Sequence, residues 1–229
     1  MALIRYAEGQ QRSGSLGATV YSRNRYGAYT RPRTVPVNPN TDRQVAVRNA
    51  LRNLSIIWDT VLTQPQRNAW DVYAANIPWT NKFGDPVSLT GLSHYIRSNT
   101  PLLQSGIARV DAAPVIFTLA QAEQAMAATA SEATQDLTID GDPAGPWIGE
   151  AGAWQFYYMG IPQNASRKFF NGPWRFLTAV PGAGPPPFPV VIAAAFPFAD
   201  GQRIWLRSRV CRADGRLSEF AQVNFLGAA

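Results

Sequence analysis

Nucleophilic and metal-assisted chemistry rests on a few residue types, and this chain is short of them. His94 is its only histidine and Cys211 its only cysteine. A Ser-His-Asp triad would have to use His94, and no Gly-x-Ser-x-Gly turn accompanies it. The ring lies between Leu92 and Tyr95-Ile96 in a helical pattern, which reads as a structural or surface histidine. Zinc sites need several Cys and His ligands, more than the chain holds. Cys211 sits in an alternating strand pattern and reads as a small packed residue; one cysteine also excludes an internal disulfide. Asp136, Asp140 and Asp142 are the densest acidic cluster. They lack the glycine and terminal glutamate of an EF-hand loop, so a solvated turn is favoured over adventitious calcium. Asn53-Leu-Ser55 and Asn164-Ala-Ser166 match a glycosylation acceptor by chance. No phosphate-binding loop, dinucleotide fingerprint or kinase motif is present. The expectation is a protein that is not an enzyme, with no catalytic residue, metal ligand or cofactor.

Binding chemistry is better represented. Tyr21, Arg23, Arg25, Tyr26, Tyr29, Arg31 and Arg33 crowd into one short segment. Tyr and Arg are the residues enriched at protein interfaces, so a contact with another subunit is the first reading. Rings that stack bases and guanidiniums that neutralise phosphates give weak, non-specific nucleic-acid contact as the alternative. Packing within the chain is the third. Trp58, Trp70 and Tyr73 mark a helical anchor beside this segment.

The elements that must position these residues fall into three stretches. Residues 1–40 read as an extended basic arm of β-formers and glycines, with a hairpin turn at Tyr26-Gly27. Thr34-Val-Pro36-Val-Asn38-Pro39 holds extended geometry, because a residue before proline avoids the helical region. Residues 41–112 read as helical. Thr41-Asp-Arg-Gln44 matches a capping box, and Val47, Leu51, Leu54, Trp58 and Val61 form one apolar face. Thr63-Gln-Pro65-Gln66 is a second capping box. It opens a helix through Ala69, Trp70, Tyr73, Ala74 and Ile77 that stops near Pro78. Thr90 opens a third helix that frays near Pro101.

Residues 113–229 read as an all-β sandwich, with turn clusters between strand candidates. The candidates are 115–119, 137–139, 153–159, 174–180, 189–192, 203–210 and 217–225, and the alanine-rich 120–130 reads as helical. In 203–210, Ile204, Leu206, Ser208 and Val210 face the core, and Arg203, Trp205, Arg207 and Arg209 share the other face. Ala213-Asp-Gly215 makes a hairpin turn. The run Pro185-Pro-Pro187 reads as a loop. The fold class is therefore α+β in two parts: an arm with a helical hairpin, then a sandwich.

Composition agrees. Hydrophobic residues are 46% of the 229, enough for a sizeable core. Charged residues are only 16%, yet the excess is concentrated. Residues 1–60 hold nine arginines against three acids, which accounts for the whole net charge of +6. All basic residues but Lys82 and Lys168 are arginine, the cation suited to ordered, bidentate contacts. No stretch of about 18 apolar residues suggests a membrane span, and no secretory leader pattern opens the chain.

Two resemblances accompany these residues. Gly17-Ala-Thr-Val-Tyr-Ser22-Arg-Asn24-Arg-Tyr-Gly27-Ala-Tyr29-Thr-Arg31, then Pro36-Val-Asn38-Pro39-Asn-Thr41-Asp-Arg-Gln44, then Trp58 and Leu62-Thr-x-x-Gln66-Arg67-x-x-Trp70 resemble uncharacterised virion-associated proteins of tailed phages and prophages. That match spans roughly residues 14–100. Trp205-Leu-Arg-Ser-Arg-Val-Cys-Arg-Ala-Asp-Gly-Arg-Leu-Ser218 resembles the penultimate strand and final hairpin of a fibronectin-III or immunoglobulin-like module. The resemblances imply a structural protein of the virion, made in the bacterial host cytoplasm. Capsid decoration or a minor head protein is favoured over a tail component. Its implied partners are other virion proteins, in a homo-oligomer or a lattice, and no membrane.

Overall fold

The computed structural model describes residues 2–4, 12–34, 37–184 and 187–229. Val35-Pro36 and Pro185-Pro186, from two of the proline-containing readings above, lie outside the described residues. The chain divides into two compact units, Met1–His94 and Tyr95–Ala229.

The first unit opens with β1 (Ala2–Ile4), β2 (Gly14–Leu16), β3 (Thr19–Asn24) and β4 (Gly27–Pro32). They form one antiparallel sheet in the order β1-β4-β3-β2. The described part of the arm up to Pro32 is thus strand and turn, with the expected hairpin at Tyr26-Gly27 and a further reversal between β2 and β3. Two short turns cause the reversals. Gly17 (φ +57°) follows β2, and Gly27 (φ +117°) closes β3 onto β4, where Asn24 Oδ1 accepts from the Tyr26 N–H.

Helix α1 (Asp42–Thr60) starts at Thr41, whose hydroxyl accepts from the Gln44 N–H; the reciprocal half of a capping box is not made there. The full box forms at α2 (Gln64–Asn76), between Thr63 and Gln66, with Pro65 in the first turn where a missing N–H costs little. Arg67 Nη1 donates to the Trp58 and Asp59 carbonyls, satisfying the open C-terminal end of α1. A short hairpin, β5 (Trp79–Thr80) and β6 (Pro86–Val87), leads to α3 (Gly91–Gln104). Its Thr90 cap accepts from the Ser93 N–H. Gly91 has no room for a side chain: a Cβ there would lie 2.5 Å from Asp71 Oδ1, the atom that accepts its N–H.

The division between the units falls inside α3, so the second unit begins with helix. Pro101 does not fray it; the helix runs on to Gln104, and Leu102 beyond the proline is buried. Tertiary burial outweighs the lost hydrogen bond. The strand expected at 115–119 is absent; Val115 is 83% exposed, and Ile116 and Phe117 are exposed too, with no sheet edge beside them. The alanine-rich stretch expected to be helical ends instead in β7 (Ala127–Ser131), because pairing with β8 (Asp136–Asp140) overrides alanine's preference. The remaining strands are β9 (Trp154–Gly160), β10 (Trp174–Pro181), β11 (Val190–Ala193), β12 (Arg203–Cys211) and β13 (Ala221–Leu226).

They make two antiparallel sheets, β11-β8-β7 and β10-β9-β12-β13. One core joins them: Leu137 and Ile139 of the first with Tyr157, Met159, Ile204, Leu206 and Val210 of the second. The outer face of the four-stranded sheet has a cover of its own. Leu102, Ile107 and Val110 pack there on Phe156, Tyr158, Cys211 and Leu217. Arg97 donates to the Leu217 and Ser218 carbonyls at 2.8 and 2.9 Å. Asn99, fully buried, clamps Val110 through both its N–H and its carbonyl. Gly215 (φ +86°) makes the expected turn after Ala213. Among the described residues no helix is long and apolar enough to cross a membrane.

Candidate functional site

The register of the N-terminal sheet decides what the Tyr/Arg segment can present. Side chains of directly paired residues share a face, and neighbours along a strand alternate. Tyr21 pairs with Thr30 and Arg23 with Ala28, which puts Tyr21, Arg23, Thr30 and Ala28 on one face. Ser22 pairs with Tyr29 and Val20 with Arg31, which puts Tyr29 and Arg31 on the opposite face. Arg25 and Tyr26 form the hairpin tip, and Arg33 lies beyond the end of β4. The seven candidates therefore occupy two faces and two ends, not one surface.

Neither face is a core face. A sheet docked on its own domain shows alternating buried and exposed residues. Here the first four residues of β3, and likewise of β4, are half-buried, the last two of each exposed, and none buried. Residues 12–34 carry five arginines and no acid. Arg23, Arg25, Arg31 and Arg33 are exposed, and none has a side-chain hydrogen-bond or ion-pair partner among the described residues. The tip meets its own unit where Asn81 Nδ2 donates to the Tyr26 carbonyl at 3.1 Å, beside a cleft of about 320 Å³ lined by Leu3, Asn24, Thr80 and Lys82. The lack of a core continues into α1. No described residue before Leu54 is buried, and of the predicted apolar face Leu51 and Val61 are exposed while Leu54 and Trp58 are inside.

Trp58, Trp70 and Tyr73 are buried and form the core of the helical hairpin, so these three side chains are not themselves at its surface. Trp70 and Tyr73 meet edge-on at 5.9 Å, and Tyr73 meets His94 at 5.2 Å. The Trp79 indole donates to His94 Nε2 at 3.1 Å. An indole N–H is only a donor, so Nε2 is an acceptor and the imidazole is neutral with its proton on Nδ1. His94 is fully buried in this aromatic setting, a structural histidine. Cys211 is likewise buried, and burial pushes its thiol up to about 12, away from reactivity. Asp136 and Asp140 stand at opposite ends of β8, and Asp142 instead caps the Ala144 N–H. Among the described residues no three His, Cys, Asp or Glu side chains converge to hold a metal ion.

A second cluster emerges on the outer face of the four-stranded sheet. The shared face of Trp205, Arg207 and Arg209 holds as read from the alternation. What sequence could not supply is the neighbours. The Arg207 guanidinium lies 4.0 Å from the Phe220 ring centroid, 4.5 Å from Trp174 and 5.2 Å from Tyr158. Arg209 lies 4.8 Å from Phe220, and its Nη2 donates to the Tyr158 hydroxyl. Burial lowers the Arg207 pKa to about 10, with Arg209 adding to the effect and Tyr158 opposing it. The rings offset that desolvation by cation–π attraction. This ladder links β9, β10 and β12 to Phe220 just before β13, and it engages both guanidiniums within the fold. A hint was legible: Trp154, Phe156 and Tyr158 on one face and Tyr157 and Met159 on the other give large aromatic or apolar residues on both, which demands cover on each.

Comparisons with protein-family models, with curated proteins and with solved structures give no match.

Proposed function

We propose that the chain is a non-enzymatic structural protein of a phage-like virion, a capsid decoration or minor head protein, with a place in the tail as the alternative. The observation that carries this reading is that no described residue before Leu54 is buried. Ordering each backbone residue costs about 1–2 kcal/mol, and a sheet or half-helix with nothing buried recovers little of it. Such a segment gains its stability by docking, and many copies on a symmetric particle supply the surface. The C-terminal sandwich supports the same reading. Three strands against four, all antiparallel, with the chain changing sheet after β8, β10 and β11, agree with a fibronectin-III-like module. Such modules bind or space other proteins; that step rests on fold analogy.

Mass spectrometry of purified particles tests the class. The chain is expected among the virion proteins, and a variant lacking residues 1–38 is expected to be missing from them while still folding through its sandwich. Incorporation of the truncated chain at wild-type stoichiometry would overturn the role given to the arm.

A further inference from the structure

Resting on the structural reading above, we infer that the N-terminal sheet is a wedge held between two acidic protein surfaces, one on each face. The sheet offers the same chemistry twice, Tyr21 with Arg23 on one side and Tyr29 with Arg31 on the other. Along β3 and β4 the two sides are half-covered alike, with no alternation to mark one as inner; near the tip the Tyr29 side also borders the cleft against Thr80 and Lys82, and Arg31 lies at the other end of β4. A sheet that docked on one surface would present apolar residues to it and polar ones to water. This sheet presents an aromatic ring and a guanidinium to each.

Charge selects the partner. Five arginines without an acid cannot be desolvated against a neutral surface, because an unpaired buried cation costs several kcal/mol. Carboxylates on the opposing surfaces supply bidentate partners for the fork of donors. A second copy of this chain is a poor source, since residues 61–229 carry as many bases as acids. A nucleic acid is the other polyanion, and it fits the geometry less well. Base-stacking platforms gather their rings on one face, along a single backbone track. Here Tyr21 and Tyr29 point to opposite sides.

The test uses the full chain in particles from the strain that encodes it. Arg23→Glu reverses charge on one face and Arg31→Glu on the other; both side chains are exposed, so the fold does not depend on them. Each single substitution is expected to lower the copies per particle by about tenfold or more, measured by quantitative mass spectrometry. Hydroxyl-radical footprinting then compares Tyr21 and Tyr29 in the free protein and in particles, before and after the particles are emptied of DNA. Both tyrosines are expected to be protected in both kinds of particle. One tyrosine as reactive as in the free protein, or Arg31→Glu incorporated like wild type, would overturn the wedge while leaving the virion role intact. Protection lost with the DNA would assign the arm to nucleic acid and overturn the wedge as well. Absence of the wild-type chain from particles fails the structural reading itself, and the wedge with it.

Discussion

Arginine serves two opposite purposes in this chain. Arg97 spends its donors on two backbone carbonyls, Arg207 and Arg209 lie among aromatic rings, and Arg212 and Arg216 pair with Glu150 and Asp214. Arg23, Arg25, Arg31 and Arg33 do none of this among the described residues. Residue-level burial also sets a pH limit. Cys211 has its pKa raised to about 12 by burial, and burial raises the phenols of Tyr157 and Tyr95 above their ordinary range, the latter aided by Asp111. Each group is therefore held protonated in the folded state. The stability this confers is complete below the unfolded pKa values, about 8.5 for a thiol and 10 for a phenol, and is lost as pH rises beyond them. Urea unfolding of the second unit is expected to give the same free energy from pH 6 to 8. By pH 10 it is expected to fall by about 3 kcal/mol, roughly 2 of it from the thiol. Cys211→Ala is expected to remove most of that fall. A stability unchanged at pH 10 would mean the thiol is not sealed in the folded chain.

At the scale of elements, α3 belongs to the sandwich more than its sequence suggests. Its Arg97, Asn99 and Leu102 fasten the helix and the 105–110 segment over Phe156, Tyr158, Cys211 and Leu217. A chain begun at residue 113 lacks all three, so it exposes that apolar face and leaves the Leu217 and Ser218 carbonyls without their donor. Residues 91–229 are therefore expected to melt cooperatively and well above residues 113–229. The difference in stability is about 3 kcal/mol or more, from one buried leucine and two charged hydrogen bonds. Equal melting temperatures by circular dichroism would show that the helix is dispensable to the sandwich.

At the scale of the molecule, the charge is as uneven as the packing. The basic residues in excess fall in the first 60 positions, where no described residue before Leu54 is buried, while residues 61–229 are neutral and carry the sandwich core. A steep polyanion response from that end is the signature of the nucleic-acid alternative. Binding of the full chain to generic duplex DNA is expected to be micromolar or weaker at physiological salt, with a log–log salt slope no steeper than the roughly five arm arginines allow. Submicromolar or form-selective binding in a fluorescence-anisotropy titration would favour nucleic acid over protein as the arm's target.

Local signals sufficed for much of this. Capping residues and proline stops gave α2 its limits, because each acts within one helical turn. Strict alternation in 203–210 assigned both faces of β12, and Tyr26-Gly27 placed the arm's reversal. Other features depend on residues far apart in the chain. Val115 to Leu119 has the composition of a strand but meets no edge to pair with, while Ala127–Ser131 lacks that composition and finds one in β8. Trp58, Trp70 and Tyr73 have the types of an interface but are enclosed by their own fold. The seven Tyr and Arg residues of the arm look like one patch when written in a line. Strand register, a pairing property, sends them to two faces, because a side chain's direction alternates with every residue while its chemistry does not.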